Sequence, residues 1–128
     1  MTDVFDTLDM SARHIGDHIV VTVAGDVDLH TAPTLRAYVR NLVQQGAQHL
    51  VLDLPGVDFV DSTGLSTFIT LLLEVEKAGG SLRLAGVPDR LMRMVTVTGV
   101  SAVLPVHATV TDALAARTGT AADACTDR

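Results

Sequence analysis

No tryptophan occurs in the 128 residues, and there are only one tyrosine and three phenylalanines. Lysine is nearly absent as well, Lys77 being the single example, and nine Lys plus Arg face fifteen Asp plus Glu for a formal net charge of −6. Binding to nucleic acid calls for a basic face or a platform of stacking aromatics, and this inventory supplies neither. Cysteine is limited to Cys125, which excludes an internal disulfide. The start of the chain, Met1-Thr2-Asp3-Val4-Phe5-Asp6, is acidic and lacks the basic lead and apolar middle of a signal peptide, so a reducing cytoplasm is the expected setting. The longest near-continuous apolar stretch, residues 68–73, is interrupted by Thr70 and closed by Glu74. A membrane crossing needs roughly 20 such residues, and none is expected here.

Apolar residues are plentiful: 48% of the chain is hydrophobic, 19% is charged and the mean hydropathy is +0.37. That balance excludes disorder over most of the length, and a chain of this size suits one domain around one core. Apolar alternation predicts strands over residues 8–14 and 19–24, joined by a turn through Gly16-Asp17. After Asp28 the period changes. Thr31 as N-cap, Pro33 in the first turn, Leu35, Tyr38, Val39 and Leu42 at helical spacing, and Gly46 as the stop predict a first helix. Leu50-Val51-Leu52-Asp53-Leu54, bounded by Pro55-Gly56, reads as a strand buried on both faces. A second helix runs from Ser62 or Thr63 to Ala78, with Leu65, Phe68, Ile69, Leu72 and Val75 inward and Gly79-Gly80 ending it. Residues 81–85 form the next strand. Pro88 opens a third helix with Leu91, Met94, Val95 and Thr98 on one side, residues 103–106 make a last short strand, and 110–116 a closing helix. Strands and helices that alternate in this way build a largely parallel sheet through right-handed crossovers, which is the α/β class. Residues 118–128, without apolar periodicity, read as a disordered tail and leave 1–117 as the domain.

The chemistry-bearing segment is Val57-Asp58-Phe59-Val60-Asp61-Ser62-Thr63-Gly64-Leu65, between the buried strand and the second helix. Ligands and modifications in such folds gather at the ends of parallel strands and the N-termini of the helices that follow. Local chemistry leaves two readings of this segment open. Asp61 or Ser62 caps the helix, both being preferred cap residues, or the Ser62 hydroxyl is a modification site whose phosphate the helix N-terminus would stabilise. Thr63 suits first-turn packing or capping, and Gly64 a tight helix start or close approach of a partner. Asp26 and Asp28 belong to a loop expected at the same end of the sheet as Ser62, as solvated or capping carboxylates or as partner contacts.

Other constellations point away from catalysis. Asp53, at the end of a buried strand, invites comparison with a phosphoacceptor aspartate, but Lys77 lies within a helix and no acidic pair follows a first strand, so Asp53 reads as a hydrogen-bonded structural carboxylate. His14, His18, His30, His49 and His107 are scattered without zinc-site spacing, and no metal is assigned. Ser62 lacks the Gly-x-Ser-x-Gly elbow of a hydrolase, and no histidine is placed beside it locally. No Gly-rich phosphate loop of the Walker type is present, so no cofactor is assigned. Arg36, Arg40, Arg90 and Arg93 read as solvated helix faces.

Asp61-Ser62-Thr63-Gly64-Leu65 resembles the signature of the STAS domain, the fold of bacterial anti-sigma factor antagonists. Gly25-Asp26-Val27-Asp28-Leu29-His30-Thr31-Ala32-Pro33 is similar to that family's loop from the second strand to the first helix. Residues 95–100 with Asp112-Ala113-Leu114 resemble its closing half, so the likeness covers about residues 8–116. It implies a STAS-type single domain with a mixed, mostly parallel sheet of four to five strands, an antiparallel first pair and about four helices. It also implies a non-enzymatic module that, when unmodified, binds an anti-sigma factor with serine kinase activity and so frees a sigma factor. Phosphorylation of Ser62 would switch binding off, and a phosphatase would reset it. The implied docking residues are Asp26, Asp28, Asp61, Ser62, Thr63, Gly64, Leu65 and Ser66. The chain departs from many members at Ser66, where they have glycine, which adds a second hydroxyl near the switch. The alternative is an unphosphorylated STAS accessory subunit of a transporter or a stress-sensing assembly; the presence of Ser62 disfavours the transporter role.

Overall fold

Strands β1 (Asp9–Ile15) and β2 (His18–Val27) pair antiparallel around the Gly16-Asp17 turn. Helix α1 (Ala32–Gln44) returns the chain to β3 (His49–Val60), which lies parallel to β2; α2 (Ser62–Lys77) leads to β4 (Ser81–Ala85), parallel to β3. Helix α3 (Asp89–Val97), one turn of 3-10 helix (Val100–Ala102), β5 (Val106–His107) and α4 (Val110–Ala115) follow. The computed structural model describes residues 8–116; Cys125 and the tail expected at 118–128 lie outside them. The five strands form one sheet in the order β1-β2-β3-β4-β5, mixed and mostly parallel as expected.

The two-residue alternation of the strands sorts their side chains. Ile19, Val21 and Val23 of β2, Leu50, Leu52 and Leu54 of β3, and Leu82 and Leu84 of β4 join the large core with Leu35 and Val39 of α1, five buried residues of α2, and Leu91 and Val95 of α3. The intervening Val20, Val51 and Ala85 point to the other face and pack against Ala113 of α4. A strand apolar at successive positions, as β3 is from Leu50 to Leu52, belongs in the middle of such a sheet, and all three of these residues are fully buried. Helix α2 buries Leu65, Phe68, Leu72 and Val75 as predicted, but also Gly64, Thr67 and Leu71, while Ile69 is only half-buried.

Three expected strand boundaries differ by more than a residue; β2, expected to end at 24, runs to Val27. Pro55-Gly56 does not end β3, which continues for six residues beyond Leu54. The ladder to β4 stops at Asp53 opposite Ala85, and the register to β2 shifts between Asp53 and Gly56. Pro55 falls inside that irregularity, where its missing N–H breaks no regular ladder. The last strand is not 103–106 but the two residues Val106–His107. Gly99 adopts a left-handed conformation, the 3-10 turn takes up the next residues, Leu104 is buried, and Pro105 contributes only its carbonyl, which accepts from Leu84 N–H at 2.9 Å.

Candidate functional site

The extra length of β3 is what carries Asp61 and Ser62 to the pole where β2 also ends, Val27 standing opposite Val60. Asp61, in extended conformation, is the N-cap of α2. Its Oδ1 accepts from Gly64 N–H at 2.8 Å and its Oδ2 from Leu29 N–H at 3.2 Å. One carboxylate therefore satisfies a free donor of the helix and ties the β2–α1 loop to the same spot. The cap being taken by Asp61, the Ser62 side chain is released from that duty: Ser62 is exposed and, among the described residues, makes no side-chain hydrogen bond.

Asp61→Ala removes both contacts and is expected to lower unfolding free energy by about 1–2 kcal/mol, at the upper end for a lost cap. Asp61→Asn keeps an oxygen for Gly64 but offers Leu29 a donor in place of an acceptor, so it is expected to lose a smaller part. Urea unfolding of the two variants measures both quantities.

The other residues singled out in the sequence are divided between surface and support. Thr63 is half-buried and its carbonyl accepts from the Thr67 hydroxyl at 2.8 Å; Ser66 is exposed one turn beyond Ser62. Gly64 and Leu65 are buried and offer no surface; they shape the pole from beneath. Asp26 is the penultimate residue of β2, not a loop residue, and its carbonyl accepts from the Thr31 hydroxyl at 2.7 Å. Asp28 Oδ1 accepts from His30 N–H at 2.9 Å and Thr31 N–H at 3.1 Å, so it folds the loop onto the start of α1. Burial pushes this carboxyl up, but the main-chain bonds from Thr31 and His30, with the Thr31 hydroxyl and the His30 charge, pull it below the ordinary carboxylate value. Thr31 occupies the N-cap position of α1 as expected, yet its side chain makes no cap bond and instead turns back to Asp26.

Three residues of this pole were not legible as site residues. Leu29, on the β2–α1 loop that Asp61 ties down, is 63% exposed, and Phe59, near the end of β3, is 50% exposed. Leu29 carried a signal, an apolar residue between Asp28 and His30 in a polar connection; Phe59, among Val57 and Val60, carried none. The third, Arg90, reaches from α3 to the Asp58 carbonyl, so it is not a purely solvated side chain. Arg40 likewise pairs with Glu74 across α1 and α2.

Away from this pole, Asp53 is half-buried and, among the described residues, accepts no hydrogen bond, so it is not the hydrogen-bonded carboxylate expected. Burial raises its proton affinity and the Arg13 charge partly opposes this. A carboxyl raised on folding stabilises the fold while protonated, below its ordinary value of 3.8. That contribution is lost as pH rises through the raised value. Asp53→Asn is therefore expected to raise Tm at pH 7, with the gain vanishing below about pH 4; thermal melts across that range check it. His14, His18 and His49 line a cleft of about 500 Å³ with Asp17, at the opposite end of the strands from Ser62. Among the described residues no group of three or more His, Cys, Asp or Glu is placed to hold a metal, and no helix is long and apolar enough to cross a membrane.

Comparison with known proteins bears on the same span. The STAS domain model matches residues 9–113. An anti-sigma-B factor antagonist of Bacillus subtilis (strain 168) is 35% identical over 101 residues, covering 79% of this chain and 92% of that protein. The crystal structure of an anti-sigma factor antagonist from Mycobacterium paratuberculosis superposes with a TM-score of 0.79 at 27% identity, covering 90% of this chain and 97% of that one. The Bacillus cell fate determinant SpoIIAA in its phosphorylated form shares the fold, with a TM-score of 0.64 at 19% identity over 84% of this chain and 97% of that one.

Proposed function

Because the chain belongs to the STAS domain family, we propose that it is an anti-sigma factor antagonist whose docking to an anti-sigma factor is controlled at Ser62. Unmodified, it binds an anti-sigma factor that is also a serine kinase and displaces a sigma factor; phosphorylation of Ser62 ends the association, and a phosphatase restores it. It acts in the cytoplasm as a binding module, with no reaction of its own and no direct contact to nucleic acid. The observation that carries this reading is the division of labour at the head of α2. Asp61 does the capping, and the neighbouring hydroxyl is left exposed, at the end of the sheet where the exposed apolar Leu29 and Phe59 also lie.

The physics of the switch follows from that placement. A neutral hydroxyl at an exposed helix head is compatible with a desolvated interface. Phosphoserine adds a charge of about −1.5 to −2 at pH 7. Next to the Asp61 carboxylate it keeps the helix N-terminus as a favourable local partner, so the domain itself remains folded. The interface is what it penalises, through desolvation and like-charge repulsion. The docking set is then Ser62 and Ser66 with Leu29 and Phe59 at the surface, shaped by Asp26, Asp28, Asp61, Thr63, Gly64 and Leu65 behind it.

Affinity capture from the protein's own cell extract, with and without phosphatase treatment, tests this reading. The expected catch is a soluble anti-sigma factor, enriched after phosphatase treatment. After incubation of the pair with ATP, mass spectrometry is expected to place phosphate on Ser62. Phosphate on Thr63 alone would overturn the site assignment, and recovery of a transporter component instead would support the accessory-subunit role.

A further inference from the structure

The segment that presents Phe59 lacks the ladder support that the rest of β3 enjoys. Its pairing with β4 ends at Asp53, and its register to β2 shifts a second time, because Gly25 faces Val57 while Asp26 faces Phe59. Asp58 is the extra residue of that bulge and has no register partner on β2. A side chain from another element takes up its carbonyl. Arg90, in the first turn of α3, donates from Nη2 at 2.9 Å and from Nε at 3.3 Å to the Asp58 main-chain oxygen. The same Nη2 lies 3.7 Å from Asp58 Oδ1, an ion pair between side chains that are 63% and 76% exposed.

We infer that Arg90 is a positioning residue for docking: it fastens the bulge of β3 to α3 and thereby sets Phe59 beside Ser62 in the pose the anti-sigma factor meets. This rests on the docking reading above. The acceptor that matters is the carbonyl. An ion pair this exposed contributes little, whereas a guanidinium fork delivers two donors to one main-chain oxygen in a fixed geometry that an ammonium cannot reproduce. A loop fastened in advance loses less freedom when a partner arrives, so the clamp acts on binding more than on folding.

The test is the kinetics of Ser62 phosphorylation by the captured anti-sigma factor, read together with thermal unfolding. Arg90→Ala is expected to raise KM about tenfold, the scale of one lost preorganising contact, with kcat and Tm little changed. Arg90→Lys should recover part of the loss. Asp58→Ala, which keeps the carbonyl, should behave like wild type. Wild-type KM in Arg90→Ala overturns the inference, as does an equal loss in Asp58→Ala, which would assign the effect to the ion pair. A fall in Tm that accompanies the KM change and is not relieved by Arg90→Lys also overturns it, marking Arg90 as a support of the fold. A wild-type protein that the captured partner binds but does not phosphorylate at Ser62 defeats the docking reading itself, a result distinct from all of these.

Discussion

Ser62→Asp is expected to weaken binding of the anti-sigma factor at least a hundredfold, while Ser62→Ala binds like the unmodified protein and is insensitive to ATP. A hundredfold corresponds to about 2.7 kcal/mol. A cost of that size is available, since an ionised carboxylate left unpaired in a desolvated interface costs several kcal/mol. The same substitution is benign for the fold, because an acidic side chain in the first turn of α2 is favoured by the helix dipole. Stability and binding should therefore part company: Tm unchanged or slightly higher, affinity much lower. Calorimetric titration of both variants measures the difference. Equal affinity of the two variants would end the switch proposal.

Gly64→Ala is expected to lower stability by about 2 kcal/mol, which for a domain of this size is a Tm fall of roughly 10 °C. Helix propensity alone argues the reverse, since alanine is favoured over glycine inside a helix by about 1 kcal/mol. Packing decides the sign. A Cβ at position 64 would stand 2.3 Å from the Val27 carbonyl oxygen and 2.9 Å from Val27 Cγ1. That carbonyl cannot withdraw cheaply, because it accepts the Asp61 N–H at 3.2 Å. Relief requires α2 to lift from the end of β2, which would also disturb the Asp61 bonds to Gly64 and Leu29. A variant with wild-type Tm would show that the close approach of α2 to β2 is not needed.

Both substitutions concern a pentapeptide that could be picked out by eye, but they differ in what could be argued from it. That Asp61 and Ser62 stand at a helix start followed from cap chemistry and from the period change after residue 60. Which of the two caps, and which is left free, depended on the extended backbone at Asp61 aiming its carboxylate at Gly64. The burial of β3 on both faces was legible because it is apolar at successive positions, Leu50, Val51 and Leu52. The face of α2 was legible only in part: i+3 and i+4 neighbours both satisfy a helical pattern, and the choice of Leu71 over Ile69 as the fully buried residue depends on how the helix sits on the sheet. Pro55-Gly56 misled because a proline next to a glycine is ordinarily a stop, and a bulge that accommodates it leaves no local mark.

The order of strands and helices, the central burial of β3 and the position of the Ser62 hydroxyl at the head of α2 were determined by the sequence alone, through periodicities and cap preferences that act within a few residues of chain. Only the tertiary structure decided that Leu29 and Arg90 join the segment of Phe59 and Ser62 at one pole, and that Gly64 must have no side chain. Those facts arise from contacts between residues some 30 or more positions apart, such as Leu29 with Asp61, Arg90 with Asp58 and Gly64 with Val27. No local pattern encodes such distances, because the parallel crossovers that close them are set by the packing of whole elements.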